Sequence, residues 1–383
     1  MLKIRTFNKI DPNGLNRLPE NFELTEGDDY DGIILRSYKM SEAEINESLL
    51  AVARAGAGVN NIPIELYAEK GVVVFNTPGA NANAVKELVI SGLLLASRNI
   101  IGGVNWLQGL NPEGIDIAKE VEANKSKFGG NEILGKKIGI IGLGAIGAKL
   151  AKALVDLGLE VYGIDPFLTV ENALTLDSNI KLAKSIEDMF AICDFISIHV
   201  PQTNETKGFV NSELLKNAKD GIKIMNFARG GLCDDDSMIE AVKSGKVAKY
   251  VTDFPNEKLL GYENIITIPH LGASTAESET NCAIMAADEI TQYLVNGNII
   301  NSVNYPNCNM GEKSAAARIA INYKSCASAD IASAIEENKL NATAMQCCAK
   351  GDFGYALIDT DEDTAKAVDQ IKAIAGVLKI RVL

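Results

Sequence analysis

The run Gly142-Leu143-Gly144-Ala145-Ile146-Gly147 constrains the fold of this chain more than any other stretch. Alone, a G-x-G-x-x-G string is a weak signal in a chain holding 33 glycines. Its context makes it strong. The apolar, β-rich run 137–141 precedes it, an alanine- and leucine-rich helical pattern at 146–157 follows, and a second strand-like run, 160–164, ends at Asp165. In that order Gly142 permits a tight turn, Gly144 lets the backbone approach a diphosphate, and Gly147 allows close packing of helix on strand. The helix start at Ala145 and Ile146 then faces the anion. A carboxylate at Asp165 accepts ribose hydroxyls and repels a 2′-phosphate, so the expected cofactor is NAD rather than NADP.

The motif sits inside a longer alternation. Strand-like runs at 33–35 and 72–75 alternate with helical patterns at 42–50 and 85–96, and a second series of strands falls at 137–141, 160–164, 195–198, 222–225 and 265–268. Strand–helix alternation of this kind indicates open, doubly wound parallel sheets, here two of the Rossmann type. The segment 109–130, with Asn111-Pro112, charges and Gly129-Gly130, reads as a surface excursion or connector. Ser274-Thr275 with Glu277 reads as the capped start of a helix that runs to Leu294, ends near Gly297 and returns to the first domain. Residues 318–383 then read strand, helix, strand, strand, helix, strand, a βαββαβ unit of the ferredoxin-like type. The expected fold is α/β, with two Rossmann-like domains and this small third one.

Composition narrows the function classes. Of 383 residues, 47% are hydrophobic and 23% charged, as in ordinary globular chains. Lysine and arginine total 37 against 50 acids, a net charge of −13 with no basic run, which argues against nucleic-acid or anionic-membrane partners. The start lacks an apolar signal core and no stretch is long enough to span a bilayer, so a soluble cytoplasmic protein is expected. Seven scattered cysteines, Cys193, Cys233, Cys282, Cys308, Cys326, Cys347 and Cys348, have no C-x-x-C spacing. They read as reduced structural thiols, and no metal site is expected.

Hydride transfer from a secondary alcohol to NAD needs a base for the hydroxyl proton and a cation that holds the substrate and polarises the forming carbonyl. Histidine and arginine suit those tasks. The chain has two histidines, His199 and His270, each at the carboxyl end of a strand-like run, and on position alone either could be the base. Arg229 lies at a third strand end beside Gly230-Gly231, and Glu257 follows Phe254-Pro255-Asn256. A carboxylate behind an imidazole fixes its tautomer, so Glu257 with His270 is the favoured pairing. Arg229, Glu257 and His270 are the candidate catalytic set.

These residues lie in strings that resemble the D-2-hydroxyacid dehydrogenase family: 53–61 (Ala-Arg-Ala-Gly-Ala-Gly-Val-Asn-Asn), Phe75-Asn76-Thr77-Pro78, Gly142 to Gly147, His199-Val200-Pro201, Asn226 to Gly230 and Pro269-His270-Leu271-Gly272. The resemblance covers residues 30–300 and places the family's Arg, Glu and His roles on Arg229, Glu257 and His270. It implies a discontinuous substrate domain (1–98 and 275–305), an NAD domain (99–274) and a C-terminal module (316–383), with a cleft that closes over a small 2-hydroxy acid. It also implies self-association as a homodimer or homotetramer.

The resemblance assigns further contacts. Cofactor contacts fall on Thr77, Ala145, Ile146, Asp165, Val200, Pro201, Phe227, Ala228, Arg229, His270, Gly272 and Ala273, besides the motif glycines. The substrate carboxylate falls to Gly56-Ala57-Gly58 and Asn81, and Arg36, Ser37 and Arg54 are candidates for gripping a phosphate, which points to 3-phosphoglycerate. The aspartate that holds the nicotinamide amide lies in the family five residues before the catalytic Glu, at Thr252 here, so Asp253 is one residue late. The C-terminal unit resembles an ACT domain, but 322–327 (Asn-Tyr-Lys-Ser-Cys-Ala) lacks that module's imidazole and glycine, while Asn341 matches its second asparagine. Support of assembly is expected of it rather than amino-acid feedback. The rival expectations are a glyoxylate or hydroxypyruvate reductase using the same residues, and a non-catalytic NAD-sensing protein.

Overall fold

Short β-branched runs such as Gly32–Leu35, buried along their whole length, are what parallel strands covered on both faces require. In the computed structural model, which describes residues 1–383 apart from the side chains of Glu171 and Cys326, the chain divides into two units. Unit 1 comprises Met1–Asn81 and Ala276–Leu383, and unit 2 comprises Ala82–Thr275.

Unit 1 opens with five parallel strands, β1 (Leu2–Phe7), β2 (Phe22–Thr25), β3 (Gly32–Leu35), β4 (Ala51–Arg54) and β5 (Val73–Asn76), in the order β2-β1-β3-β4-β5. That is a doubly wound order. The expected returning helix is Ala276–Asn296, and its Cys282, Ala283, Ala286, Ile290 and Leu294 share one core with Ile4, Ile34, Ala53 and Phe75. Its alanines admit close approach: a Cβ on Gly14 would lie 2.5 Å from Ala283.

The helical pattern at 42–50 does not form a helix. A single 3-10 turn, Glu42–Glu44, closes on a capping box between Ser41 and Glu44. Beyond it Asn46 accepts from the Leu49 N–H (2.6 Å) and donates to Asp28 O (2.7 Å), while Ser48 bonds Asp29. Side chains that bond backbone locally compete with helix, and here they win.

The C-terminal part of unit 1 is a four-stranded antiparallel sheet, β13 (Ala317–Lys324), β14 (Ala342–Lys350), β15 (Phe353–Thr360) and β16 (Val377–Val382), with helices Ser328–Glu337 and Ala365–Lys372 between them. The order β14-β15-β13-β16 with this chain sequence is the βαββαβ arrangement. One face carries the helices over Ile319, Ile321, Ala356 and Ile358. The other joins the core of the first sheet through Ala320, Tyr355 and Leu357.

Unit 2 holds seven parallel strands, β6 (Lys137–Ile141), β7 (Glu160–Ile164), β8 (Lys181–Leu182), β9 (Phe195–Ile198), β10 (Ile222–Asn226), β11 (Val247–Thr252) and β12 (Ile265–Thr267), ordered β12-β11-β10-β9-β6-β7-β8. Strand order reverses between β6 and β9, the switch point at which such sheets bind ligands. Helix Ala82–Ser97 packs Val89 and Leu93 onto Phe227 and Val251. The segment expected as a connector carries its own structure: helix Ile117–Asn124, capped by Asp116, and a 3-10 turn at Lys125–Phe128.

Among the described residues no helix is long and apolar enough to cross a membrane, and no cluster of metal-ligating side chains occurs. Cys193, Cys233, Cys282 and Cys308 are buried free thiols, whereas Cys347 is exposed and Cys348 half-buried. The Cys326 side chain lies outside the description.

Candidate functional site

Every proposed cofactor contact in unit 2 lies on a loop or a helix start at the carboxyl edge of its sheet. Gly142 leaves β6 at φ +94, a conformation that favours glycine, and a Cβ there would stand 2.5 Å from His199 O. A Cβ on Gly147 would stand 1.9 Å from Gly142 O, so helix Ala145–Asp156 can sit on its strand only with glycine at that position. Gly144 differs. It caps the helix without a side-chain hydrogen bond, and a Cβ there would meet nothing within 4 Å. Gly144 and Ala145 are exposed and Ile146 half-buried, which leaves an open, positively polarised helix start fitted to a diphosphate.

Asp165, at the end of β7, accepts from the Leu143 N–H at 2.8 Å and from the Phe167 N–H at 2.9 Å. Its carboxylate is thereby fixed beside the glycine loop, with one bond on each oxygen and a lone pair left on each for a ribose hydroxyl. No base follows it in Pro166-Phe167-Leu168.

The two histidines separate clearly. His199 Nε2 bonds the Ser197 hydroxyl at 2.7 Å, and its Nδ1 is sealed inside the protein without a partner. Burial pushes its pKa down to about 4, so it is a neutral residue that supports the glycine loop through its backbone. Val200 packs on the same turn, and Pro201 O accepts from Thr206. His270 is exposed, with its ring centroid 4.8 Å from that of Phe254.

Arg229 is also exposed, and its Nη1 donates to Ala228 O at 2.7 Å. Buried Asn226 shapes this turn by donating to Arg229 O (2.8 Å) and accepting from the Ala228 N–H (3.2 Å). Phe227 turns its ring into the core against Gly92.

Asp253 ties the constellation together. It is 1% exposed, its Oδ2 accepts from the Gly272 N–H at 3.3 Å, and its Oδ1 is buried with no partner. Burial raises its pKa, opposed by the charge of His270, the Gly272 N–H and the charge of Arg229. Arg229, Asp253 and His270 therefore share one electrostatic neighbourhood at the ends of β10, β11 and β12. Thr252 is fully buried and its Oγ1 accepts from the Phe254 N–H at 3.1 Å, which leaves the orphan acceptor to Asp253. Ala273 and Gly272 lie on the same turn as His270. Glu257 is exposed, and among the described residues no hydrogen bond joins it to the imidazole, whose neighbour is Phe254. Asn226 and Phe254 are the positioning residues that spacing arguments passed over; both stood inside strings already quoted.

Unit 1 gathers its candidates at the carboxyl edge of the first sheet. Arg36 follows β3 and pairs with Glu279 at 2.7 Å, and Arg36 O accepts from Arg54 Nε at 3.0 Å. Gly56 has φ +153, and a Cβ on it would lie 2.6 Å from Arg54 Nη1. Ala57 O accepts from Asn76 Nδ2 at 2.6 Å, and the Thr77 N–H donates to Gly56 O at 3.2 Å, which fixes the 56–58 loop. Thr77 is fully buried with its hydroxyl unpartnered. The Ser37 N–H donates to Asn8, and Asn81 is half-buried at the end of the first segment.

Comparison with known proteins gives these loops a context. Residues 93–272 match the model of the D-isomer specific 2-hydroxyacid dehydrogenase NAD binding domain. The D-3-phosphoglycerate dehydrogenase of Haemophilus influenzae is 32% identical over 366 residues, 91% of this chain and 85% of that protein. Its counterpart in Archaeoglobus fulgidus is 34% identical over 287 residues, 72% of this chain and 52% of that protein, so the chain spans about half the length of this relative. The NAD+-bound crystal structure of 3-phosphoglycerate dehydrogenase from Entamoeba histolytica is 29% identical with a TM-score of 0.61, covering 79% of this chain and 98% of that one.

Proposed function

This chain belongs to the D-isomer specific 2-hydroxyacid dehydrogenase family, and from that premise we propose that it oxidises D-3-phosphoglycerate at C2, with NAD, to 3-phosphohydroxypyruvate. The observation that carries the chemistry is the grouping of Arg229, Asp253 and His270 on adjacent strand ends. The choice of substrate rests on the relatives' names.

NAD supplies the hydride acceptor. The Gly142–Gly147 loop and the helix start behind it hold the diphosphate, and Asp165 takes the ribose hydroxyls. The orphan Oδ1 of Asp253 accepts from the nicotinamide carboxamide, a donor that this buried oxygen otherwise lacks. His270 takes the C2 hydroxyl proton, Arg229 orients the C1 carboxylate and the developing carbonyl, and Glu257 supports the imidazole. On unit 1, the 56–58 loop with Asn81 takes the carboxylate, and Arg54, Arg36 and Ser37 take the phosphate. Arg36 also pairs with Glu279.

We assign 1–98 with 275–305 to substrate binding, 99–274 to NAD and 316–383 to an ACT-like module that supports assembly in the cytoplasm. Buried Asn322 accepts from the Tyr293 hydroxyl, on the unit's own long helix, at 3.3 Å. Self-association draws support from helix Ile100–Gln108, an apolar helix with no buried residue.

The test is kcat/KM on D-3-phosphoglycerate against D-glycerate, for the wild type and Arg54→Ala. A preference for the phosphorylated acid that Arg54→Ala abolishes is expected, and equal use of both acids would overturn the assignment.

A further inference from the structure

A cleft in unit 1 has no part in the reaction described above. Asn76 at the end of β5, the 301–307 loop, and Cys348, Ala349 and Lys350 at the end of β14 line an open cleft of about 480 Å³. Small-ligand pockets span roughly 300–1,000 Å³.

Its walls are fixed in advance. Asn301 adopts φ +60, its N–H donates to Asn307 Oδ1 at 3.0 Å, and its amide donates to Glu289 at 2.7 Å. The loop is fastened to β5 and its approach by Val303 N–H to Val74 O, Val74 N–H to Asn304 Oδ1 and the Tyr305 hydroxyl to Ala68 O, all at 2.8–2.9 Å. Lys350 Nζ lies across the loop and donates to Ser302 O (3.0 Å) and Val303 O (3.1 Å). Two of its three N–H bonds are thereby spent on neutral carbonyls, so its charge is uncompensated and one donor remains. No carboxylate lines the cleft. Asn76, on the same wall, holds Ala57 O through its amide at 2.6 Å.

We propose that this cleft binds a small oxyanion, a carboxylate or a phosphate, on the Lys350 ammonium beside the Asn307 amide, and that Asn76 passes occupancy to the 56–58 loop. A compact anion meets a preformed cation and amide donors at little ordering cost. Any movement of the Asn76 amide shifts the carbonyl of Ala57, the middle residue of the loop assigned to the substrate carboxylate. The binding claim stands independently of the proposed dehydrogenase activity, and the coupling claim rests on it.

The test uses the full chain with sodium acetate and, separately, sodium phosphate, at constant ionic strength against a chloride control. Calorimetric binding on the order of millimolar Kd and a rise in Tm are expected with at least one anion, retained in Arg54→Ala and Lys350→Arg and lost in Lys350→Met. Acetate alone acting identifies a carboxylate site, and phosphate alone a phosphate site. No binding of either anion, or equal binding in Lys350→Met, overturns the site. For coupling, the bound anion is expected to change the substrate KM about fivefold with kcat unchanged, in the wild type but not in Asn76→Ala, which still binds the anion. A KM change equal in the wild type and Asn76→Ala, or none in either, overturns the coupling while leaving the site in place.

Discussion

The Gly272 N–H donates to Asp253 Oδ2 at 3.3 Å, and this bond ties the turn after β11 to the turn that carries His270. The other carboxylate oxygen is buried without a donor. A hydrogen bond to a charged group is worth about 1.5–3 kcal/mol, so removing a nicotinamide partner should be visible in cofactor affinity. Asp253→Asn is expected to raise the KM for NAD by about tenfold or more while the protein stays folded by circular dichroism. An unchanged KM would place the nicotinamide contact on another residue.

Gly144 and Gly147 offer opposite outcomes from the same substitution. Gly147→Ala forces a Cβ against Gly142 O and is expected to cost about 1–3 kcal/mol of stability, read as a lower Tm. Gly144→Ala meets nothing in the protein, so its Tm should match the wild type while NAD affinity falls, because the added methyl occupies the space given to the diphosphate. Equal NAD affinity in Gly144→Ala would remove the diphosphate from this loop.

Glu289 and His199 give the stability a pH dependence of opposite signs. Burial holds Glu289 at about 8, above its ordinary value of 4.5, so between those values the folded chain keeps a proton that the unfolded chain releases, and stability falls as pH rises. Burial holds His199 at about 4, below its ordinary 6.5, so the unfolded chain binds the extra proton and stability falls as pH drops through that window. The two oppose each other below pH 6.5, and above it Glu289 acts alone, with a slope of up to about 1.4 kcal/mol per pH unit. Tm should fall from pH 6.5 to 8 in the wild type and fall less in Glu289→Gln. Parallel profiles would contradict the assignment.

The architecture was legible where a periodic pattern and tertiary packing agree. The strands at 137–141 and 160–164 and the helix that follows Gly144 lie where the sequence puts them, as does the βαββαβ order after 316. The pattern at 42–50 misled because Asn46 and Ser48 spend their polar groups on neighbouring backbone and side chains, which periodicity cannot register. Helix Ile117–Asn124 was hidden because its face buries nothing, leaving only the Asp116 cap as a signal. At the site, strand ends located His270 and Arg229, but the Asp253–Gly272 bond spans residues far apart in the chain and could not be seen. Spacing pointed to Thr252, with Asp253 one residue late; the closed hydrogen bond of Thr252 and the unpartnered Oδ1 of Asp253 separate them.

Arg318 anchors the C-terminal sheet. Fully buried, it meets Asp359 through two bonds at 2.6 and 2.8 Å and donates to Asn296 O and Gly311 O, which joins β13 and β15 to the end of helix Ala276–Asn296. Arg318→Ala strands the Asp359 charge and is expected to cost about 3–5 kcal/mol. Urea unfolding followed by circular dichroism measures it, and a loss near zero would show that the pair is dispensable.

The central claim is dehydrogenation of a phosphorylated 2-hydroxy acid with His270 as the base, and NADH absorbance tests it most directly. Purified wild-type chain given NAD and D-3-phosphoglycerate should form NADH, with His270→Asn slower in kcat by about 10²–10⁴-fold and unchanged in NAD binding. No NADH from the wild type, or equal turnover by His270→Asn, would contradict the account.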